Sequence, residues 1–405
     1  MRFLKKMMIL VIVSMTLSGC MLPLPAPLYA AYSFNPNTIM HINSAYNGTE
    51  YFYYDLEGIE GSGIYRYKDG QTAELFYSGG GWSMAASQEY LYVLTSLKLK
   101  QISLKDGTVK TTSKEIVDCY AFSIDQDSIF IFGHDPKAEY TSSKSEHCYR
   151  LSADDFESPP EIIIEGLEYD ESALQNTKYL LVADEKYDYV CINNGLGGAE
   201  IAGIFNKETG KQVFRLPEDR ESCVIFLQNE KMIFANRQLD VTKSSSLSYY
   251  ENSSQNREYT VFPFGYYFDT NSFVAEENKI YSLLQKSDSH PQIGDYNIHQ
   301  KYHISDEIVE VNADDGSYKV IYETTDKNER IVGYANQKVY LYENNAIYIL
   351  DPEAGTREEF CTFEKQYESY AFDLCGSKIF VWGAEAEIRM TIQDIDILVG
   401  AYDLQ

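Results

Sequence analysis

One pattern of apolar and polar positions recurs along most of the chain. A polar or turn-forming pair precedes a short apolar and aromatic segment, and the segments start 38 to 59 residues apart. Runs of this length and composition predict β-strands, and no long amphipathic helix pattern accompanies them. The eight segments are GTEYFYY (48–54), QEYLYVL (88–94), QDSIFIF (126–132), TKYLLVA (177–183), NEKMIFA (229–235), ENKIYSL (277–283), NQKVYLY (336–342) and GSKIFVW (376–382).

Further strands surround each segment. One precedes it, as in YAFSID (120–125) and YAFDLC (370–375), and a hairpin follows it in most repeats. Four short strands every 40–50 residues is about the period of a β-propeller blade. We predict an all-β fold, a β-propeller of seven or eight four-stranded blades, with eight favoured by the eight segments. Seven blades result if one segment is a decoy or the first and last combine. Paired β-sandwiches and a β-solenoid are the alternatives. The hairpin turns place glycine where positive φ is needed, at Gly107, Gly210, Gly316 and Gly355.

The turn-bearing half of each repeat is similar to the pyrroloquinoline-type bacterial propeller repeats and to propeller lipoproteins of Gram-positive bacteria. ISLKDGTVKTT, IFNKETGKQVF and YILDPEAGTREEF carry this resemblance. The tryptophan that ends many pyrroloquinoline-type repeats is replaced here by Tyr, Phe or Val. The resemblance therefore implies the fold without the cofactor, and we expect none.

The N-terminus carries an export signal. Three basic residues precede an apolar run, Met7–Leu17, which is too short for a membrane-spanning helix. The following LSGC (17–20) resembles the lipobox of bacterial lipoproteins, which implies diacylglycerol on the thiol of Cys20. The alternative is an ordinary secretory signal, with a rival cleavage point after Ala30.

The domain prediction follows from this reading. Residues 1–19 form the lipoprotein signal peptide, 20–37 form a lipidated Cys and Pro-rich tether, and 38–405 form a single β-propeller domain. Two acyl chains give stable anchoring to a bilayer. The expected location is the cell membrane, lipid-anchored on its extracytoplasmic face.

The net charge of the chain restricts the classes of partner that it can bind. Lys and Arg number 34 against 61 Asp and Glu, so the formal net charge is −27. Nucleic acid is excluded as a partner because phosphate binding needs clustered basic side chains. With 44% hydrophobic residues the chain is not disordered. An acidic surface favours a cationic envelope protein or extracellular ligand.

Candidate metal ligands are few. His290, His299 and His303 lie close together in sequence, but no HExxH glutamate accompanies them. The acidic run 312–316 (NADDG) lacks the spacing of an EF-hand loop and fits a turn. We therefore predict no metal site.

Catalytic patterns are also weak. The segment 312–319 weakly resembles a sialidase Asp-box, and no G-x-S-x-G nucleophile elbow is present. The glycine-rich 195–199 lacks the helix and lysine of a phosphate loop and reads as a hairpin. We assign no catalytic residue. For the six cysteines after Cys20 we favour buried thiols over a disulfide framework.

Two inserts interrupt the repeat, at 240–259 and 285–303, and we predict them to be long surface loops. Such loops usually carry binding residues. Aromatic side chains suit contacts with sugars or proteins. The candidate ligand-contacting residues in or beside these loops are Tyr249, Tyr250, Tyr266, Tyr267, His299 and His303.

These observations predict a lipid-anchored extracytoplasmic binding or scaffolding protein. It would bind a protein or other ligand through a propeller rim, without catalysis. The alternative is a surface carbohydrate-binding or carbohydrate-active propeller protein.

Overall fold

The structure is a computed structural model in which every regular element of the described residues is a β-strand. No helix in this part of the chain is long and apolar enough to cross a membrane. The predicted signal, the tether and Cys20 lie outside the described residues. Those residues are 44–81, 83–95, 98–112, 116, 119–125, 127–135, 137, 146–167, 179–183, 189–194, 203–206, 212–215, 221–228, 231–237, 246–251, 255–262, 266–276, 278–287, 303–324, 329–364, 367, 369–384 and 397–405.

The strands form consecutive antiparallel sheets, numbered here in chain order, and each sheet pairs its strands in sequence order. Sheet 1 contains β1 (Ser44–Tyr46), β2 (Tyr51–Asp55), β3 (Gly63–Tyr67) and β4 (Glu74–Tyr77). Sheet 2 contains β5 (Ser83–Ala86), β6 (Tyr90–Thr95), β7 (Lys98–Ser103) and β8 (Val109–Thr111). Sheet 3 contains β9 (Cys119–Asp125), β10 (Ser128–His134), β11 (Glu146–Ser152) and β12 (Glu161–Leu167). Sheet 4 contains β13 (Tyr179–Ala183), β14 (Tyr189–Asn194), β15 (Gly203–Asn206) and β16 (Gln212–Arg215).

The second half of the chain continues the same way. Sheet 5 contains β17 (Glu221–Gln228), β18 (Lys231–Arg237), β19 (Ser246–Glu251) and β20 (Gln255–Val261). Sheet 6 contains β21 (Tyr266–Glu276), β22 (Lys279–Ser287), β23 (His303–Asn312) and β24 (Tyr318–Thr324). Sheet 7 contains β25 (Arg330–Ala335), β26 (Lys338–Glu343), β27 (Ala346–Asp351) and β28 (Thr356–Thr362). Sheet 8 has three strands in the described residues, β29 (Ser369–Cys375), β30 (Lys378–Ala384) and β31 (Ile397–Asp403).

The recurring apolar segments form the second strand of their sheets, with one exception. TKYLLVA (177–183) forms β13, the first strand of sheet 4, and the second strand is β14, with sequence YVCINN. One segment is therefore misplaced in the sequence-based alignment. First and second strands are both buried and apolar, so pattern alone does not distinguish them.

Burial decreases from the second strand to the fourth. In β6 and β10 nearly every side chain is buried, whereas β8 and β24 are largely exposed. A second strand is covered on both faces by neighbouring sheets, and a fourth strand forms the outer edge. This explains why the second strands gave the strongest apolar signal.

The apolar clusters lie between successive sheets. Phe52 of sheet 1 packs in one cluster with Met84 of sheet 2, and Tyr281 of sheet 6 shares a cluster with Ile331 of sheet 7. A further cluster joins the last sheet to the first, where the rings of Tyr51 and Phe380 are 5.9 Å apart. Each sheet thus buries its faces against its neighbours.

The sheets are arranged as a β-propeller. The first strand β1 lies beside both β5 and β29, so sheet 1 contacts the next sheet and also the last one. In the same way β9 lies beside β13, and β21 lies beside β17 and β25. When the first strand of each sheet lies beside the first strands of the adjacent sheets, these strands surround a common axis. The predicted propeller fold is confirmed at this level.

Polar contacts also join sheets 8 and 1. The indole N–H of Trp382 donates to the carbonyl oxygen of Tyr54 at 2.8 Å. The hydroxyl of Ser44 donates to Asp373 Oδ2 at 2.5 Å, and the hydroxyls of Tyr51 and Ser377 are 2.9 Å apart. Trp382 is buried in the core between these two sheets, and Trp82 lies outside the described residues.

Candidate functional site

The strand order divides the molecule into two faces. In a four-stranded antiparallel meander, the first and third turns lie at one end of the sheet. The second turn and the connection to the next sheet lie at the other end. Short connectors between sheets, such as 78–82, keep this orientation from one sheet to the next. We call the two ends the short-turn face and the long-connection face.

Connection lengths differ sharply between these faces. Four intervals between strands exceed ten residues, and the strand ends on either side of each lie at the long-connection face: 135–145, 168–178, 288–302 and 385–396. Of these intervals, the structure describes only residues 135 and 137. On the short-turn face the longest connection is 153–160. Connections of variable length between the strands of a rigid scaffold are where binding residues concentrate. The long-connection face is therefore the candidate functional site.

In the turns of the short-turn face, side chains accept hydrogen bonds from backbone N–H groups of the same turn. Asp106, Asp315 and Asp351 each accept a backbone N–H two residues ahead, at 2.9 to 3.0 Å. Gly107, Gly316 and Gly355 adopt φ of +71°, +72° and +64°, as the turn chemistry predicted. Gly210 lies outside the described residues.

These hydrogen bonds explain the acidity of the turn carboxyls. The pKa of Asp106 is lowered by the N–H of Thr108. An ion pair with Lys338 lowers the pKa of Asp351 to about 2, and the backbone N–H of Ala354 contributes. The acidic run 312–316 is used in the same way, since Asn312 Oδ1 accepts from the N–H of Asp314 at 2.8 Å. Its oxygen atoms complete a turn.

A polar cluster lies at the long-connection end of sheet 6. The hydroxyl of Tyr266 donates to Glu307 Oε1 at 2.9 Å, and Lys286 Nζ is 3.7 Å from the same oxygen. The hydroxyl of Ser305 lies 3.5 Å from Glu323 Oε1. Glu307 and Glu323 are register partners on β23 and β24. We call these five residues the sheet 6 polar cluster.

Burial and neighbouring charges raise the pKa values of two groups in this cluster, Tyr266 and Lys286. Burial raises the pKa of Tyr266, and its hydrogen bond to Glu307 adds to the increase. The neighbouring Tyr266 hydroxyl and the carboxylate of Glu307 raise the pKa of Lys286. The ammonium group is therefore charged at neutral pH, and it offsets the charge of the buried Glu307 carboxylate.

The first strand of sheet 6 contains a wide polar bulge. Phe268 pairs with Leu284 and Phe273 pairs with Ser282, so residues 269–272 (DTNS) oppose only Leu283. Because first strands surround the propeller axis, this bulge widens the chain at the inner edge of sheet 6. Its signal in the sequence is a run of four polar residues inside an aromatic strand, which the repeat pattern alone does not reveal.

The six candidate residues do not share one location. Tyr266 and Tyr267 begin β21 and His303 begins β23, so these three lie at the long-connection end of sheet 6. Tyr249 and Tyr250 lie near the end of β19, towards the short-turn face of sheet 5. His299 lies outside the described residues.

The predicted loop boundaries also need correction. Most of the insert 240–259 belongs to the hairpin of β19 and β20. The strand β22 continues to Ser287, so the second insert begins after Ser287 and not at residue 285. Tyr249, Tyr250, Tyr266, Tyr267 and His303 are therefore strand residues, and the connections are 238–245 and 288–302. The Ser and Asn content of these segments gave them the composition of a loop.

Cysteine and histidine chemistry is limited in the described part of the chain. Cys119, Cys148 and Cys375 are buried and are not in a disulfide, as favoured above, and Cys361 is half-buried. Burial raises the pKa of Cys361 to about 11, which keeps its thiol protonated at neutral pH. Among the described residues, no group of three His, Cys, Asp or Glu side chains could hold a metal ion.

Several solved structures resemble this chain. Sqt1 from Saccharomyces cerevisiae aligns with TM-score 0.52 at 9% identity, covering 90% of this chain and 96% of that one. A prolyl endopeptidase aligns with TM-score 0.50 at 10% identity, covering 91% of this chain and 57% of the enzyme. The β-propeller domain of the trilobed protease from Pyrococcus furiosus gives 0.39 at 12% identity, covering 85% and 89%.

These likenesses concern the fold. This chain spans just over half the length of the prolyl endopeptidase, and all three identities are 12% or lower. No protein-family model matches the chain, and no curated protein matches it in sequence. Function must therefore be argued from the site.

Proposed function

We propose that this chain is a lipid-anchored, extracytoplasmic β-propeller of eight blades that binds an envelope protein through its long-connection face. The observation that carries the proposal is the difference in connection length between the two faces. Binding needs variable surface on a rigid support, and the buried second strands supply that support. The net charge of −27 favours a partner with a basic surface.

The blade count rests on the sheets. Seven four-stranded sheets and one three-stranded sheet follow each other in the described residues, and sheet 8 lies beside sheet 1. Each sheet is then one blade. An experimental map at a resolution that traces the first strands would show eight of them around the axis, and seven would refute the count.

The anchor rests on the sequence. Residues 21–43 separate Cys20 from β1, and an extended Pro-rich chain of that length reaches roughly 70 Å. The chain joins β1 at the long-connection face, so the tether leaves from the side that binds. We expect Cys20→Ser to abolish incorporation of labelled fatty acid and to release the protein from the membrane fraction. Retention of label in this variant would refute lipidation at Cys20.

The binding face is tested by changing one face at a time. Replacing 288–302 with Asn-Gly, a two-residue hairpin turn, shortens the long-connection face without changing the strands. The matched control inserts eight Gly and Ser residues between Glu353 and Ala354, which are exposed on the short-turn face. Both variants are compared with the parent by cross-linking in whole cells and mass spectrometry of the tagged protein.

The expected result is loss of the main cross-linked partner from the shortened variant and its retention in the control. Thermal unfolding of both variants is measured in parallel, so that misfolding is recognised. Retention of every partner in the shortened variant, or loss in the control alone, would contradict the assignment of the binding face.

The second candidate is a carbohydrate-active or carbohydrate-binding protein, favoured by the sheet 6 polar cluster. Glu307 and Glu323 face each other across two strands, with Cβ atoms about 5 Å apart in such pairs. Most glycosidases use a pair of Asp or Glu side chains that flank the scissile bond. Release of reducing ends from a polysaccharide panel that disappears in Glu307→Gln and Glu323→Gln would support it. Glu310→Gln, on the opposite face of β23, is the control, and silence across the panel removes this candidate.

A further inference from the structure

The connection between β2 and β3 exposes two large apolar side chains on the long-connection face. Ile59 is 94% exposed and Leu56 is 47% exposed. Ile59 is the most exposed large hydrophobic residue in the described part of the chain. We call residues 56–62 the Ile59 loop.

This loop has a fixed shape. The buried Tyr65 places its hydroxyl under the turn, where it donates to the carbonyl oxygen of Gly61 at 2.6 Å and accepts from the N–H of Glu60 at 2.9 Å. The N–H of Gly61 donates to the carbonyl oxygen of Gly58 at 2.8 Å. Ile59 therefore stands on a turn whose backbone groups are paired.

The base of the loop is tied to the neighbouring strands. Asp55 Oδ1 accepts from the N–H of Glu57 at 3.1 Å and from the N–H of Leu398, in β31, at 3.3 Å. The hydroxyls of Tyr54 and Ser62 are 2.8 Å apart. The loop is thus held by both sheet 1 and sheet 8.

Glycine is required at two positions of this turn. A Cβ at Gly58 would lie 2.3 Å from the ring of Tyr65, and Gly61 has φ of +105°. Larger residues would disrupt the turn. The sequence therefore encodes an ordered loop that presents isoleucine to solvent.

The surroundings of Ile59 are acidic. Glu57 and Glu60 flank it and are exposed. Asp55 lies at the base of the loop, and residues 55–63 contain three acidic side chains and no Lys, Arg or His. A surface that approaches this loop must accommodate an apolar side chain and at least two carboxylates.

We propose that the Ile59 loop inserts into an apolar pocket bordered by Lys or Arg side chains on a protein partner. This inference deepens the proposed function and rests on binding at the long-connection face. A lipid surface fits less well, because anionic head groups repel the flanking carboxylates. An ordered loop binds without losing conformational freedom, and a central aliphatic anchor with a charged rim provides affinity and orientation.

The first experiment places a photoreactive benzoylphenylalanine at position 59 of the full, lipidated chain in its own cells. The same residue is placed at Glu364, which is exposed on the same face, and at Ile162, which is 48% exposed on the outer strand β12. We expect one protein adduct from position 59 and no such adduct from position 162. The cross-linked peptide of the partner should contain apolar residues next to Lys or Arg.

The outcomes separate this inference from the proposed function. An adduct with the partner from position 364 but none from position 59, or a lipid adduct from position 59, overturns the inference and leaves the binding face standing. No protein adduct from either position overturns both.

The second experiment measures affinity for the partner identified in this way. We expect Ile59→Asp to weaken binding about 10- to 100-fold, the effect of losing one buried aliphatic side chain. Ile59→Leu should bind within about threefold of the parent. Ile162→Asp is the matched control. Equal affinity of Ile59→Asp and the parent, with unchanged thermal unfolding, would overturn the proposal.

Discussion

Two cations, the buried Lys378 and the partly buried Arg357, join neighbouring sheets in different ways. Arg357, on β28 of sheet 7, donates through Nη1 to the hydroxyl of Tyr322, on β24 of sheet 6, at 3.0 Å. Its Nη1 is also 3.5 Å from Glu329 Oε1, and its Nη2 forms an ion pair with Glu343. Its guanidinium carbon lies 3.7 Å from the ring centroid of Tyr348. Lys378, on β30, lies between sheets 8 and 1, 3.1 Å from Asp69 Oδ1 and paired with Asp403.

The side chains of both cations are mostly shielded from solvent, but their acidic partners differ in exposure. The side chains of Glu329 and Glu343 are 0% and 12% exposed, whereas those of Asp69 and Asp403 are 64% and 82% exposed. Carboxylates that reach water are hydrated without a cation, and buried ones are not. We therefore expect the exposure of the acids to determine how much stability each cation provides.

The largest expected effect is at Arg357. Arg357→Met removes the cation that pairs with Glu343 and lies beside Glu329, and breaking a largely buried pair in this way lowers the free energy of unfolding by about 3–5 kcal/mol. Urea denaturation followed by tyrosine fluorescence measures the difference. The control is Arg66→Met, because Arg66 pairs with the exposed Glu74 and such pairs contribute about 0–1 kcal/mol. Equal losses in the two variants would contradict the comparison.

Lys378→Met should have a smaller effect. Methionine retains most of the buried stem, and Asp69 and Asp403 become hydrated, so we expect a loss of about 1–2 kcal/mol. This covers the contact of Nζ with the rings of Tyr51 and Tyr67 and the partly exposed ion pairs. A loss as large as that of Arg357→Met would mean that the exposure of the acids does not govern the effect.

The pH dependence of the Lys378 contribution follows from its pKa. Burial lowers the pKa of Lys378, but its hydrogen bonds to Asp403 and Asp69 outweigh burial and raise it above 10.5. The folded-state pKa is raised, so the contribution is complete below about pH 10.4 and decreases as pH rises through the folded value. The difference between the parent and Lys378→Met should therefore be constant from pH 6 to 9. A decrease in that interval would contradict the shift.

Removing one exposed acid should have the smallest effect on stability. Asp69→Asn and Asp403→Asn each leave Lys378 with one carboxylate, and we expect losses below about 0.5 kcal/mol. The double variant tests whether the two acids substitute for each other, since its loss should exceed the sum of the single losses. Additive losses would indicate independent contacts.

The contribution of Asp351, a carboxyl group in a turn of the short-turn face, can be tested at acid pH. The pKa of Asp351 is lowered to about 2 by Lys338 and by backbone N–H groups. Its contribution is therefore complete above about pH 3.8 and is lost as pH falls towards 2. We expect Asp351→Asn to be less stable than the parent at pH 6 and to approach it near pH 2. An unchanged difference between these pH values would refute the shift.

The strand pattern was largely predictable from sequence, because buried second strands are short apolar runs between turn residues. The three described glycines with predicted positive φ were also predictable, since hairpin chemistry is local. The error at TKYLLVA arose because β13 and β14 are both apolar and only the sheet order distinguishes them.

The candidate site was less predictable. Lys378 and Asp69 are more than 300 residues apart in sequence, and only closure of the ring brings them together. Tyr249 and Tyr250 looked like loop residues because their hairpin is rich in Ser and Asn. The Ile59 loop gave no signal, because its exposure depends on Tyr65 and on the glycines that shape the turn.

The two-residue turns of the short-turn face affect which insertions and deletions the fold can tolerate. The turns at 336–337 and 376–377 fix how first and second strands align in their sheets. Residues can therefore be added or removed at the opposite face without shifting any strand by one position. The molecule can diversify one surface through insertions and deletions while its scaffold stays constant, and it could display foreign peptides grafted there.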